Sequence, residues 1–235
     1  VTEDNVVHVE NWDCLIDGTK CQIFAYTGNA TEIVIPTTIT AGGNTYTVTS
    51  LDGGLFQNNA KIKSISFAAN SEITAIPSRF VSCEGLRPSG SGSYESLILP
   101  GTIQTIGESA FASYSSNLSV LQFGDASDCV DLTGIKEIGK MGLSNLTTNK
   151  LSTKNVKISN KLTSIGEQIF RNDTFDKLIL TAGDYGSTCV DSNAFGMLHL
   201  TNGVELENGV TNADAIIDAL LNASNATINK FTQLY

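Results

Sequence analysis

The chain has 235 residues, which is long enough to bury a sizeable core. It carries 24 acidic and 14 basic residues, a formal net charge of −10, and its basic residues form no cluster. Nucleic acid affinity comes mainly from clustered basic residues that neutralise phosphates, so DNA, RNA and anionic lipid are excluded as expected partners. No stretch approaches the roughly 20 apolar residues that a membrane-spanning helix needs, so no transmembrane segment is predicted.

The beginning and the composition of the chain favour an exported protein. The first residue is Val1 rather than Met, which is consistent with a removed leader or a shortened chain. Thr, Ser and Asn are abundant, whereas Lys and Arg together number only 14. We therefore expect an extracellular or cell-surface location, with the leader already removed.

Residues 1–32 predict a β-hairpin that caps the N-terminal end of the fold. The stretch NWDCLIDGTKCQIFAYTG contains Asp17-Gly18, a dipeptide typical of two-residue hairpin turns. A turn at these two residues places Cys14 opposite Cys21. The pair is then either a cross-strand disulfide or two small buried side chains. The remaining cysteines are expected in the interior of the repeats; they are Cys83, Cys129 and Cys189.

From residue 33 to residue 200 the sequence repeats itself. An aliphatic residue is followed a few positions later by Phe or Leu, and this motif recurs at intervals of 24–32 residues, a spacing typical of stacked supersecondary units. Each copy has a stretch with apolar residues at alternate positions, which predicts a strand. One coil cannot bury its own apolar face, so neighbouring coils must stack, and their strands form a parallel sheet. The motifs end at Phe56, Phe80, Phe111, Leu143, Phe170 and Phe195, and the strands contain the pairs Ile33/Ile35, Ile65/Phe67, Leu97/Leu99, Leu121/Phe123, Val156/Ile158 and Leu178/Leu180.

Two local patterns predict helical structure. The sequences TIGE and SIGE fit the capping box, so Thr105 and Ser164 are expected to begin short helical turns. Phe111 and Phe170 then point from these turns into the core. Near the other end, NADAIIDALLNAS predicts an amphipathic helix that Asn212 caps, with Asp214 in its first turn. Its apolar face is predicted to consist of Ile216, Ile217, Leu220 and Leu221.

The succession of these motifs resembles the BspA-like leucine-rich repeat family. The match is clearest at LILPGTIQTIGESAFASYSSNL, residues 97–118, where a strand is followed by Ile-Gly, Ala-Phe and a final leucine. Two copies depart from the pattern, with Pro77 in place of the glycine and Gly142-Leu143 in place of Ala-Phe. The resemblance implies a β-rich α/β solenoid, a right-handed superhelix of about six irregular repeats. Its expected parts are the hairpin cap (1–32), the repeats (33–200) and a C-terminal cap with a short helix (201–235).

The same resemblance implies a secreted or surface-attached bacterial protein that adheres to host matrix proteins or to other cells. Its partner would be an extracellular protein, and neither a catalytic site nor a cofactor is implied. Two alternatives stay open, a glycan-binding surface protein and a structural spacer without a ligand. Sugar sites stack rings on exposed aromatic side chains, and the single Trp, Trp12, lies in the predicted cap. A protein ligand is therefore favoured.

One pair of carboxylates raises the possibility of catalysis. Glu108 and Glu167 occupy the same repeat position two coils apart, a separation of roughly 10 Å that approaches the carboxylate spacing of inverting glycosidases. Lys140, however, occupies the same position in the coil between them. The capping box also accounts for both glutamates, so no enzymatic activity is predicted.

Two further motifs suggest bound ions but lack required residues. GIKEIGKM resembles a phosphate-binding loop, yet Met141 stands where Ser or Thr is needed. Asp125, Asp128 and Asp131 are close in sequence but lack the spacing and the glycine of a calcium loop. No Cys-x-x-Cys occurs either, so neither a metal nor a cofactor is expected.

The outward positions of the predicted sheet are the candidate binding face. Three of them, Val34, Ile98 and Ile179, are apolar, which is unusual for a solvated face unless loops shield them. If they contact a partner, charge substitutions at Ile98 and Ile179 are expected to abolish binding without lowering the melting temperature. The full set, taken from between the paired core residues, is Val34, Ser66, Ile98, Gln122, Lys157 and Ile179.

Overall fold

A computed structural model describes residues 5–82, 94–112, 118–146, 151, 154–228 and 230–233. The described residues form a stack of coils in which short strands from successive coils pair in parallel. No helix in this part of the chain is long and apolar enough to cross a membrane. The elements in chain order are β1 (Val6–Val9), β2 (Trp12–Asp17), β3 (Lys20–Tyr26), β4 (Glu32–Ile35), β5 (Thr38–Ala41), β6 (Asn44–Leu51), β7 (Ser64–Phe67), β8 (Ala75–Ile76), β9 (Ser96–Leu99), β10 (Thr105–Ile106), β11 (Val120–Phe123), β12 (Cys129–Asp131), β13 (Glu137–Ile138), β14 (Asn155–Ile158), β15 (Ser164–Ile165), β16 (Thr174–Leu180), β17 (Gly183–Asp184), β18 (Cys189–Val190), β19 (His199–Leu206), β20 (Val210–Thr211), α1 (Asp214–Leu221), β21 (Thr227–Ile228) and β22 (Phe231–Gln233).

The strands predicted from alternating apolar residues form one side of the stack, in two parts. The front sheet has the order β11-β9-β7-β4, and the rear sheet runs β12-β14-β16-β19, with β21 and β22 both paired to β19. All of these pairs are parallel. The register places equivalent core residues side by side, so that Ile33 lies opposite Ile65 and Ile65 opposite Leu97. The prediction of a solenoid with a parallel sheet is confirmed.

A third sheet lies further along each coil, in the order β18-β15-β13-β10-β8. Its strands are only two residues long, and each contributes one residue to an aliphatic ladder in direct register. Beyond this ladder, the phenylalanine side chains of successive coils meet edge to face, with ring centroids 5.3 Å apart for Phe56–Phe80 and 6.2 Å apart for Phe80–Phe111. The core is therefore continuous from coil to coil. The ladder consists of Ile76, Ile106, Ile138, Ile165 and Val190.

The recurring glycine after the ladder isoleucine is required by the approach of neighbouring backbones. A Cβ atom at Gly107 would lie 2.4 Å from the backbone nitrogen of Ser78. At Gly139 it would lie 2.7 Å from the backbone nitrogen of Glu108. Real Cβ atoms do not come so close to backbone atoms, so a side chain here would push the coils apart. The Ile-Gly dipeptide of the sequence is thus a packing requirement.

The predicted capping boxes are wrong. Thr105 and Ser164 lie in strands β10 and β15, and turns rather than helices follow them. The turn backbone bonds to the next coil as well as within the turn: the Ser109 N–H donates to the Lys140 carbonyl at 2.9 Å, and the Ala110 N–H donates to the Gly107 carbonyl at 3.3 Å. Ser109 has a φ of 53°, which a helix does not allow. Phe111 and Phe170 are nevertheless fully buried, as predicted.

The N-terminal region is a five-stranded sheet in the order β1-β2-β3-β6-β5. It contains the predicted hairpin, β2–β3, but the turn lies one residue later than predicted because Asp17 pairs with Lys20. Cys14 therefore faces Ile23 rather than Cys21, and the two cysteines are diagonal neighbours. Both are free and buried.

The other predicted interior cysteines have mixed outcomes. Cys129 is buried, but Cys189 is exposed because it occupies an outward position of the short strand β18. Cys83 lies outside the described residues. The hairpin β5–β6, which extends the N-terminal sheet, had not been anticipated from the sequence.

Helix α1 forms where the sequence predicts it, with Ile216 and Leu220 buried and Asp214 in its first turn. Leu221 is 64 % exposed, so it does not belong to the buried face. Asn212 is not the N-cap; its side-chain amide instead donates to Asp184 Oδ1 at 3.0 Å. Strands β21 and β22 follow the helix and pair with β19. The helical cap, the right-handed sense of the superhelix and the three-part division of the chain all stay predictions.

Substitution of Gly139 by Ala is expected to lower the free energy of unfolding by about 1–3 kcal/mol, the usual cost of overpacking. The control is Gly134→Ala, where the added Cβ would lie 3.7 Å from its nearest neighbours. Urea unfolding followed by circular dichroism measures both variants. Equal stability of the two would contradict the close-packing explanation.

Thiol labelling tests the state of the cysteines. The hydrogen bond between Cys14 and Cys21 raises the pKa of Cys14 and lowers the pKa of Cys21, but both thiols are buried and thus shielded from a reagent. In a Cys83→Ser background, Cys189 alone is expected to react rapidly with a thiol reagent in the folded protein. Unfolding without reductant should expose all the remaining thiols. A deficit of two would instead indicate a Cys14–Cys21 disulfide.

Candidate binding face

Four of the six predicted face residues form one continuous row across the front sheet. Val34 lies opposite Ser66, and Ile98 lies opposite Gln122. The register between β7 and β9 pairs Ile65 with Leu97, which brings Ser66 beside Ile98. One face of one parallel sheet thus presents these four side chains in strand order.

The apolar members of this row are open to solvent. Val34 is 58 % exposed and Ile98 is 39 % exposed. A third apolar residue that the sequence reading missed, Val120, is 37 % exposed and lies opposite Ser96 in the adjacent row. Its position two residues before Gln122 was the available signal, because alternate residues of a strand share a face. We call the front face the outward side of this sheet, formed by Glu32, Val34, Ser64, Ser66, Ser96, Ile98, Val120 and Gln122.

Most polar groups of the front face are small and neutral, and some are already bonded. The Gln122 side-chain amide donates to the Gly124 carbonyl at 2.7 Å. Lys63, which precedes β7, forms an ion pair with Glu95 at 3.1 Å. The charged member of the face is Glu32, an exposed carboxylate on the edge strand β4, so the face is a partly apolar surface with one acidic residue at its edge.

Lys157 and Ile179 lie on the rear sheet, where the surface has a different character. Ile179 is only 6 % exposed, so the expectation of an exposed apolar side chain is wrong at this position. In register, Ile179 lies between Lys157 on one neighbouring strand and Glu205 on the other. The apolar stems of such long side chains can cover the residue between them.

Two charged side chains of the rear sheet form an ion pair. Lys177 Nζ lies 2.8 Å from Glu205 Oε2, and this hydrogen bond raises the pKa of Lys177 above its ordinary value. The rear sheet therefore carries charged side chains, two of which form an ion pair, whereas the charged residue of the front face, Glu32, is on its edge strand. The structure does not combine all six predicted residues into one uniform surface.

One of the two glutamates considered for catalysis, Glu167, belongs to a surface ion pair. Lys140 Nζ lies 2.6 Å from Glu167 Oε2, and Glu108 is near enough to raise the pKa of Lys140 further. The hydrogen bond from Lys140 lowers the pKa of Glu167 below its ordinary value. Glu167 is thus held ionised, which is unsuited to a general acid that must carry a proton at neutral pH.

The remaining motifs have structural explanations. Gly139, in the phosphate-loop-like stretch, is the close-packing glycine described above. Asp131 Oδ1 accepts hydrogen bonds from the Thr133 N–H at 2.9 Å and from the Thr133 hydroxyl at 2.6 Å, which fixes a turn. Among the described residues, no three His, Cys, Asp or Glu side chains are placed to hold a metal ion.

Charge substitutions should distinguish the front face from the rear sheet. Ile98→Glu is expected to change the free energy of unfolding by less than about 0.5 kcal/mol, as at other exposed positions. Ile179→Glu should cost about 2–5 kcal/mol, because a buried aliphatic side chain is lost and a carboxylate replaces it beside Glu205. Urea denaturation of the two variants provides the comparison, and similar losses would mean that the two positions are equally buried.

Comparison with known proteins shows which family the sequence matches. A family model described as a BspA type leucine rich repeat region matches six copies over residues 18–126 and 136–216. A search of curated proteins finds no match.

Solved structures of low sequence identity align with most of this chain, and one of them has a similar fold. The pneumococcal vaccine antigen PcpA aligns over 97 % of this chain and 69 % of its own, with a TM-score of 0.51 and 15 % identity. A leucine-rich repeat protein from Bacteroides ovatus aligns over 97 % of this chain and 78 % of its own, at 12 % identity and a TM-score of 0.35. A leucine rich cell surface protein from Faecalibacterium prausnitzii aligns over 96 % and 95 %, at 13 % identity and a TM-score of 0.26. The last two TM-scores are too low to support a structural argument.

Proposed function

Because the chain belongs to the BspA-type leucine-rich repeat family, we propose that it is an adhesin-like module that binds an extracellular protein through the front face. The ligand class is a host matrix protein or a protein on another cell. Stacked repeats provide long, rigid surfaces, and binding is their usual use. The module acts outside the cell or at its surface, a location favoured by its composition.

The exposed apolar row is the observation that carries this proposal. Val34 and Ile98 lie on either side of Ser66, each one strand away from it. Neighbouring strands of a parallel sheet are roughly 4.8 Å apart. Hydrogen bonds between the strands already hold these residues in place. A ligand that contacts them therefore causes little further loss of conformational entropy. Protein interfaces have an apolar centre depleted of charged residues, which describes this face.

The proposed module is non-catalytic. Its support is that Glu167, one of the two carboxylates considered for catalysis, has an ion-pair role with Lys140. The front face carries serine, glutamine and aliphatic side chains, and its one carboxylate, Glu32, is exposed on the edge strand β4. Such a surface can bind through shape and apolar contact, but a single exposed carboxylate does not form a pair of acid and base.

Substitution within the face tests the proposal. The purified protein is screened against immobilised extracellular matrix proteins at physiological salt. A Val34→Glu/Ile98→Glu double variant is expected to lose binding by at least about tenfold, because two buried contacts would be replaced by charges that need water. The melting temperature should stay close to that of the parent protein.

Leu221→Glu is the matched control, because it makes the same chemical change at a residue that is 64 % exposed but lies outside the front face. This variant should bind like the parent. Equal binding by the double variant and the parent would overturn the proposed face. Saturable binding to glycans alone would overturn the protein-ligand class.

A further inference from the structure

Within the described residues, the strand pairing of the main stack is interrupted at the junction of the front and rear sheets. Between β9 and β14 this side of the stack contains two strands, β11 and β12. The third sheet has only β13 between β10 and β15. The strand β12 pairs with β14 and not with β11, although the two are in contact. One extra strand thus widens this side of the stack by about 4.8 Å, the spacing between neighbouring strands.

A cleft of about 380 Å³ lies beside β11 and β12, where the extra strand occurs. Its volume falls in the range of small-molecule sites, roughly 300–1,000 Å³. Three buried apolar side chains, Ile103, Phe123 and Ile135, contribute to its lining. The polar lining includes Asp125, Asp131, Thr133 and Lys161 and the backbone of Gly101 and Gly134.

The cleft belongs to this chain rather than to the family repeat. The family match stops at residue 126 and resumes at residue 136. Asp131, Thr133, Gly134 and Ile135 all lie in that gap. The regular repeat therefore accounts for neither the extra strand nor the residues that it brings to the cleft.

One carboxylate of the cleft is already oriented. Thr133 donates two hydrogen bonds to Asp131 Oδ1, which fixes the plane of the carboxylate without engaging Oδ2. Lys161 provides an exposed ammonium group on the same cleft, and no ion pair of this lysine occurs within the described residues. A ligand would therefore meet a fixed acceptor and a free donor.

Both signs of charge line the cleft, which limits the ligand. A cation would be repelled by Lys161, and an anion by Asp125 and Asp131. A hydroxyl group both donates and accepts, so a neutral polyol satisfies carboxylate and ammonium together. We propose that this cleft binds one pyranose ring of a carbohydrate, whose hydroxyls donate to Asp131 and accept from Lys161 while its C–H groups contact the apolar lining. No front-face residue lines this cleft, although Gln122 bonds to Gly124 at its edge, and the proposal does not rest on the proposed function.

The expected affinity is modest. The only aromatic residue in the cleft lining, Phe123, is buried and offers no exposed ring for stacking. Hydrogen bonds must then supply most of the free energy, and each contributes little net gain over water. We expect a Kd of about 1 mM for a single sugar ring.

Titration with sugars, followed by ¹H–¹⁵N NMR of the whole chain, tests the proposal. The probes are glucose, galactose, mannose and N-acetylglucosamine, each free and as its methyl glycoside. At least one sugar should give saturable shifts at the amides of Asp131, Thr133 and Gly134. Equal binding of the free sugar and the glycoside identifies the terminal ring of a glycan as the ligand, and binding of the free sugar alone identifies a free monosaccharide.

Two variants assign the binding to the cleft. Asp131→Asn and Lys161→Met should each weaken binding by about tenfold, the usual effect of losing a hydrogen bond to a charged group. Lys136→Met is the matched control, because this lysine is exposed and lies outside the cleft. No saturable shift with any sugar, or shifts that survive both variants, would overturn the proposal. Saturable binding of glycine in place of sugars would also overturn it, in favour of a zwitterionic ligand.

Discussion

The close approach of one coil's backbone to the next is the constraint on which this structure depends. At Gly107, Gly139 and Gly166 no room exists for a Cβ atom against the neighbouring coil. The same closeness lets turn N–H groups bond across coils, as Ser109 does to Lys140 and Met141 does to Glu167, both at 2.9 Å. These bonds satisfy backbone groups that a helix would satisfy internally. Stacking therefore replaces helix formation, which is why the repeats contain turns.

The stacking also determines which surfaces can carry function. A parallel ladder holds outward residues of successive coils about 4.8 Å apart, so their chemistry adds up along a row. On the front sheet the row is neutral and partly apolar, from Val34 to Gln122. On the rear sheet the corresponding rows contain the Lys177–Glu205 pair and the covered Ile179. The two surfaces meet at the break between β11 and β12, where the strand pairing of the stack is interrupted.

The sequence predicted those features that repeat. Strand positions, the buried Phe111 and Phe170 and the row from Val34 to Gln122 all follow from periodicity, because each copy confirms the others. Features that occur once were predicted poorly. The hairpin turn slipped by one residue because Asp17-Gly18 and Gly18-Thr19 are both acceptable two-residue turns, and only the packing of the strands selects between them.

The sequence also does not predict whether an outward residue is exposed or covered. Alternation along β16 correctly places Ile179 on the outer side of its sheet, but its burial depends on the strands beside it, whose register no local pattern encodes. The capping-box prediction failed for a related reason. Thr-x-x-Glu stabilises a helix only where the chain is free to form one, and the neighbouring coils already bind the backbone of that segment.

This distinction indicates where function should be sought in such a fold. A residue whose type is dictated by stacking, such as Gly139, is informative about packing and little else. Stacking does not dictate the type of an outward residue such as Ile98, nor of Lys161 beside the extra strand, and the turn that Asp131 fixes engages only one of its two carboxylate oxygens. An exposed isoleucine lowers solubility without adding to the core. A carboxylate held at a cleft loses part of its hydration, which is unfavourable in free energy. Residues that neither packing nor solubility explains are the ones that a ligand can explain.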